Sequence, residues 1–429
     1  MFRVCHRWIA FIVAPLLVAA IAPGAAYTQQ RATDLEKEFI TVAESSEYTQ
    51  TADEAQVAGY LRKLANLWNE AELTAIGETN EGRPLWALVV SPTERTETKP
   101  LTVLLLGGIH SGECAGKEGL LALARDMALG KRGNWWKSLR IIWVPNFNAD
   151  GNQRRGVSHR PGQAGPKDGM GIRENAQGLD LNRDFVKIDS PEVGGLVATL
   201  SEYEVDVLID THTTNGSLHQ YQLTYDIPHN PATPRAVENW LRGGLMPQVQ
   251  SRLQKKGYKT FWYGNYDAAH RRWNTFGHEP RYSTEYMGLR GKIGILSEAY
   301  SYASYETRVR VSYHFVEECL RGLVENQLAV RQMLDASEMQ AKAGMELPIR
   351  AEIKKTADGV TTNGYQKPDG TPPRPPYGAH SFGQHEPRNH ILLRNRDRMG
   401  CLRAIPKLHH VIPRLMLAER MRPVGRPGR

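Results

Sequence analysis

The sequence predicts an α/β fold, with three α/β/α layers around a mixed, largely parallel central sheet. Short apolar runs at Leu101 to Leu106, Leu139 to Val144 and Ile293 to Leu296 have the length and composition of buried strands. Segments with helical spacing lie between such runs, and this alternation builds a sheet covered on both faces. At 429 residues the chain is long enough to bury a sizeable core.

The elements follow in order. Residues 1–26 combine a basic start, an apolar run from Trp8 to Ala22 and small residues at the end, which reads as a cleaved secretory signal peptide. The apolar run is shorter than the roughly 20 residues a spanning helix needs, and Pro15 interrupts it. We therefore expect a secreted or periplasmic protein without stable membrane insertion after cleavage. A polar segment over 27–50 precedes an amphipathic helix within Ala52 to Glu72, marked by Val57, Tyr60, Leu61, Leu64, Leu67 and Trp68. Leu85 to Val90 alternates as a strand. Leu101 to Leu106, the helical stretch Gly119 to Ala128 and Leu139 to Val144 then form a strand-helix-strand unit. A second round comprises a helix over Pro191 to Tyr203, a strand over Val205 to Ile209, a long mixed stretch, and the strand Ile293 to Leu296. A long helix over Tyr305 to Met333 closes a catalytic domain expected to span 51–340. Beyond it, 341–429 reads as a linker and a basic, Pro/Arg/His-rich tail, disordered or aberrant.

The net charge of +8 belongs to that tail. Residues 365–429 hold 13 Lys+Arg against 4 Asp+Glu, which leaves 41 against 42 from the totals of 54 and 46. The body is neutral, and a nucleic-acid partner is not expected. Once Cys5 goes with the signal, Cys114, Cys319 and Cys401 form an odd, widely spaced set that gives no disulfide framework.

The chemistry lies at strand ends. His110-Ser111-Gly112-Glu113 follows an apolar strand and a Gly-Gly turn, where open α/β sheets build their sites. A lone H-x-x-E is a weak signal. His212, in Ile209-Asp210-Thr211-His212-Thr213-Thr214, lies past another strand and can reach the same edge. Two imidazoles and one carboxylate leave zinc an open position for water, as a catalytic site requires.

Between these segments runs Arg173-Glu174-Asn175-Ala176-Gln177-Gly178-Leu179-Asp180-Leu181-Asn182-Arg183. Together with the H-x-x-E loop, Pro145-Asn146-Phe147-Asn148-Ala149-Asp150-Gly151, the later histidine and Glu298 after its strand, it resembles the zinc carboxypeptidases related to carboxypeptidase A. The likeness extends in order over about residues 50 to 335. It implies a bacterial secreted metallocarboxypeptidase with one zinc ion held by His110, Glu113 and His212, acting on a peptide or wall-peptide substrate. Glu298 would activate the zinc-bound water, Arg173 would stabilise the oxyanion, and Asn182 and Arg183 would hold the terminal carboxylate. Asp180 would orient a ligand imidazole, His110. Arg154, Arg155 and Arg160 share the stretch before Arg173 and compete for its role. Tyr282, Tyr286 and Tyr302 are candidates for the family's mobile tyrosine. Ser283, Glu285 and Arg290 occupy the region that sets specificity, and Arg290 is expected to favour an acidic terminal side chain or to pair with Glu285. A zinc-dependent deacylase or amidase of the same superfamily, and an inactive secreted zinc-binding module, are the alternatives.

Overall fold

The computed structural model describes residues 34–92, 98–214, 218–267, 272–340, 354–355, 360–364 and 388–394. The chain divides into two compact units, residues 1–39 and residues 40–429. Of the first, residues 34–38 form a helical turn, and the expected signal peptide lies outside the described residues.

In the second unit the strands are β1 (Ala71–Glu78), β2 (Pro84–Val90), β3 (Leu101–Gly107), β4 (Leu139–Val144), β5 (Val207–Thr213), β6 (Leu223–Asp226), β7 (Thr260–Trp262), β8 (Asn265–Tyr266), β9 (Arg272–Asn274) and β10 (Ile293–Ala299). Eight of them form one sheet in the order β1-β2-β4-β3-β5-β10-β6-β7. The middle strands β4, β3, β5 and β10 run parallel, and β2 and β6 flank them antiparallel. This is the expected mixed, largely parallel sheet. From β3 the chain goes to β4 on one side and then returns to β5 on the other. The crevice beyond the carboxyl ends of β3 and β5 is therefore the switch point, where such sheets bind ligands.

Every residue of β3 is buried, which explains its continuous apolar run. On one face Leu104 and Leu106 join Ile142, Val144 and Leu208 beneath Val193, Leu196, Val197 and Leu200 of the helix Pro191–Glu202. That helix starts where Ser190 accepts from the amide of Val193 and a proline takes the first turn. On the other face the helix Ala115–Ala128 lies against β5 and against the helix Tyr305–Glu325. Gly116 permits the first contact, since a Cβ there would stand 2.1 Å from Thr211 Oγ1. Gly119 permits the second, with backbone of the facing helix 3.0 Å from its Cβ position.

Several boundaries differ from the sequence reading, and the long helix expected over Tyr305 to Met333 is two helices, Tyr305–Glu325 and Gln327–Gln340. The predicted N-terminal helix is Glu54–Leu67, fixed by an Asp53–Gln56 capping box, and β1 begins directly after it. β1 is an edge strand with most positions partly exposed, so its composition carries little apolar signal. Residues 40–50 of the polar segment belong to the second unit and pack within it. Ala43 lies in a cluster with Cys114, Ala115, Met170, Tyr305 and Val309, while Thr51 and the Ala52 amide donate to buried Glu118.

Within the segment expected to lack regular structure, three short strands occur: β11 (Lys354–Lys355), β12 (Val360–Thr362) and β13 (Arg388–Arg394). β13 pairs with β11, β12 and β9 in a second sheet. No helix among the described residues is long and apolar enough to cross a membrane.

Candidate metal centre and active site

The H-x-x-E loop is shaped by two glycines. Gly107 ends β3 where a Cβ would meet the Pro145 carbonyl oxygen at 2.8 Å, and Gly108 turns the chain with φ 71°. The amides of Phe147 and Asn148 donate to the carbonyls of Gly107 and Gly108, which ties the loop after β3 to the loop after β4. His110 and Glu113 emerge buried at this corner.

His212 arrives from the neighbouring strand. The sequence placed it past the end of β5, but the strand runs through Asp210-Thr211-His212-Thr213. Polar residues end the apolar run there without ending the hydrogen-bonded ladder, because the pairing with β10 continues through Glu298↔His212 and Ala299↔Thr213.

One ligand atom from each of His110, Glu113 and His212 lies within 4.8 Å of the others. His110 Nδ1 is 3.3 Å from Glu113 Oε1, and His212 Nδ1 is 2.9 Å from Glu113 Oε2. The far ring nitrogens are held by carboxylates: His110 Nε2 lies 2.9 Å from Asp180 Oδ1, and His212 Nε2 lies 3.0 Å from Asp210 Oδ2. These partners take the Nε2–H of each ring and turn each Nδ1 toward the cluster, where it would bind a metal ion on losing its proton. Two imidazoles and one carboxylate, each oriented from behind, fit a zinc ion with an open position.

Charge organises the cluster. Burial works against ionising Glu113, but Arg160, His110 and both imidazole hydrogen bonds hold its carboxyl well below the usual range. Burial likewise opposes a charged His212, yet Asp210 and Glu113 raise its pKa well above the ordinary value. Asp180 is lowered against its burial by His110, Arg173 and Arg183.

Glu298 stands beside His212 in register on β10 and is half-buried. Burial pushes its carboxyl up to about 8; His212 pulls the other way, and Glu113 and Asp210 reinforce the rise. Arg173 donates through Nε to Asp180 Oδ2 at 2.9 Å, and its Nη1 lies 3.3 Å from His110 Nδ1. Of its competitors, Arg154 pairs with Glu81, whereas Arg160 Nη2 donates to Glu113 Oε1 at 2.5 Å. Arg183, at the rim, lies 4.5 Å from the ring centre of Tyr282. Of the three candidate tyrosines, Tyr286 packs in the core beside Phe185, Tyr302 lies edge-on to Tyr300, and Tyr282 is the one beside Arg183.

Several sequence expectations are redirected. Asn182 is buried, its Oδ1 accepts from the Ser283 amide, and its Nδ2 lies 3.3 Å from His212 Nε2, so its amide is turned inward. Ser283 donates to Asp210 Oδ2 at 2.5 Å, so it supports the ligand instead of lining a specificity pocket. Arg290 neither pairs with Glu285 nor reaches the site. Its guanidinium lies 3.3 Å from Ser201 Oγ, and it precedes β10, whose rise of about 3.3 Å per residue carries Glu298 to the opposite end. Glu285 is buried and accepts from the amides of His229 and Asn230. Asp210 was missed, although its position two residues before His212 on a strand puts both side chains on one face.

An open α/β sheet with an oriented His-Glu-His cluster at its switch point defines a class: an α/β protein whose site residues could hold a metal ion. The sequence model of the family described as zinc carboxypeptidase matches residues 57–289, more than half of the chain. The chain belongs to the zinc carboxypeptidase family. It is similar to carboxypeptidase E of Caenorhabditis elegans, 33% identical over 159 residues that cover 35% of this chain and 33% of that protein. It is also similar to carboxypeptidase D of Mus musculus, 34% identical over 176 residues, covering 35% of this chain and 12% of that one. The match thus spans about a third or less of these curated relatives. The crystal structure of a metallo-carboxypeptidase from Burkholderia cenocepacia aligns over 64% of this chain and 69% of its own, at 17% identity and a TM-score of 0.48.

Proposed function

We propose that this chain is a zinc-dependent metallocarboxypeptidase that hydrolyses the C-terminal peptide bond of peptides, and that residues 1–26 direct it out of the cytoplasm. The observation that carries the reading is Glu298 in register beside His212, next to a His110-Glu113-His212 cluster whose ligand atoms converge within 4.8 Å. His110, Glu113 and His212 would hold zinc, and zinc bound there would supply Lewis acidity to polarise a carbonyl and ease ionisation of water.

The chain's own groups do the rest. Glu298 takes a proton from the attacking water and returns it to the leaving amine. A carboxyl raised by burial has the proton affinity that both transfers need, and the ion's charge lowers it from its metal-free value. Arg173, held by Asp180 next to His110, stabilises the developing oxyanion. Arg183 at the rim receives the terminal carboxylate through its guanidinium fork, and Asn182, turned inward, props His212 and the Ser283 amide beneath it. Tyr282, stacked on Arg183, closes over the substrate.

The test is release of C-terminal amino acids from a mixed peptide library by purified protein lacking residues 1–26, with and without chelator, beside Glu298→Gln. Release that needs metal and disappears in the variant supports the reading. Zinc uptake without release by the parent protein overturns it.

A further inference from the structure

Arg160 is built into the cluster by more than its own side chain. Its Nη2 reaches Glu113 Oε1 at 2.5 Å, and its side chain is only 11% exposed. A Cβ on Gly112 would stand 2.6 Å from Arg160 Cγ and 3.0 Å from Cδ, so the residue before the ligand lacks a side chain where the arginine stem passes. Arg160 itself adopts φ 51°, the left-handed region that glycine enters freely and that a residue with a Cβ enters at a cost. Its loop is clamped at several points. Gln163 Nε2 donates to the Gly112 carbonyl at 3.0 Å, and buried Arg308 donates to the carbonyls of Ala164, Gly165 and Ser301. On the other side of the carboxylate, Oε2 is held by His212 Nδ1 at 2.9 Å and the Thr213 amide at 3.0 Å. Arg160 is thus the buried cation on the Oε1 side, with Arg173 Nη1 more distant at 3.6 Å.

We propose that Arg160 is a fixed counter-charge to the metal-ligand candidate Glu113, which draws electron density from the carboxylate that would hold the ion and thereby weakens zinc binding while leaving a bound ion more electrophilic. The proposal rests on the zinc part of the reading above and not on peptidase activity. A guanidinium on a ligand carboxylate lowers its donor strength, and a unit charge a few Å from a dication repels it. Arg160 is a positioning and charge-tuning residue here, acting through Glu113.

The test is zinc affinity, measured by competition with a chromogenic chelator, for the parent, Arg160→Met and Arg160→Lys. Methionine keeps much of the stem that passes Gly112 and removes the charge; lysine keeps the charge. The Arg160→Met protein should bind zinc on the order of ten- to a hundredfold more tightly than the parent, with Arg160→Lys close to the parent. A merely structural role predicts the reverse, since loosening the loop can only disorder Glu113. Unchanged or weaker binding in Arg160→Met, at an unchanged circular dichroism spectrum, overturns the proposal. If Arg160→Met does not fold, Arg160→Gln provides the same comparison, and tighter binding in Arg160→Lys as well overturns the charge argument. A parent that takes up no zinc defeats this proposal together with the metal reading, whereas a parent that binds zinc without releasing amino acids defeats the peptidase reading alone.

Discussion

Replacing Glu298 with glutamine keeps its volume beside His212 and removes the carboxylate that the proposed mechanism uses to accept a proton. Loss of a positioned general base is worth roughly a hundred- to ten-thousandfold in rate, so kcat should fall by that factor. Zinc content, measured by metal analysis, should stay at the parent level. Asp210 makes the opposite case, because its Oδ2 lies 3.0 Å from His212 Nε2 and also accepts from Ser283. Asp210→Asn should weaken zinc binding by about ten- to a hundredfold, read by chelator competition, with the loss of activity recovered at excess zinc. A third residue-scale effect lies away from the metal. Burial raises the Glu285 carboxyl to about 8 despite the pull of His229 and two backbone amides, and His229 is itself raised by Asp226 against its own burial. Both folded-state values exceed the unfolded ones. Each group therefore contributes stability that is present at low pH and is lost as pH rises through the folded value. The melting temperature should fall between about pH 5 and pH 8 at this cluster, and Glu285→Gln should flatten the fall.

At the scale of elements, the helix Ala115–Ala128 is the lever that joins core to site. Gly116 lies one turn after Glu113 and packs on Thr211, which neighbours His212 on β5. Gly116→Ala would put a methyl 2.1 Å from Thr211 Oγ1 and force the helix and strand apart. The expected cost is about 1–3 kcal/mol by denaturant unfolding, accompanied by weaker zinc binding, because the displaced strand carries a ligand. Surface glycines such as Gly59, with open space at the Cβ position, should tolerate alanine without either change. The strand-helix-strand unit around this helix was legible because β3 and β4 are buried throughout most of their length and read as unbroken apolar runs. β1, β6 and β7 were not legible, since an edge strand and two short strands offer too few apolar positions for periodicity to register.

For the whole molecule, zinc bound to the folded state alone adds stability by mass action. At zinc a hundredfold above its dissociation constant the gain is about 2.7 kcal/mol, so chelator should lower the melting temperature by a few degrees, and restored zinc should bring it back. The switch point explains why so little of the chain needs to be specialised for the site. The metal-ligand candidates come from the loop after β3 and from β5, the proposed base from β10, and the arginines proposed for the oxyanion and the terminal carboxylate from the stretch before the helix Pro191–Glu202. Parallel neighbours bring these carboxyl ends to one edge without further design.

Residue types and spacing, read with the family resemblance, determined by themselves the fold class and singled out His110, Glu113, His212 and Glu298 as candidates, because these depend on local patterns and on groups that recur at strand ends. The tertiary structure decided which arginine meets the ligand carboxylate, that Ser283 and Asp210 support His212, and that Arg290 stands at the far end of the sheet. Those facts depend on how loops return across the sheet edge. Arg154, Arg160 and Arg173 share one chemistry, and a guanidinium's role is set by what its loop is clamped against, which spacing along the chain does not encode.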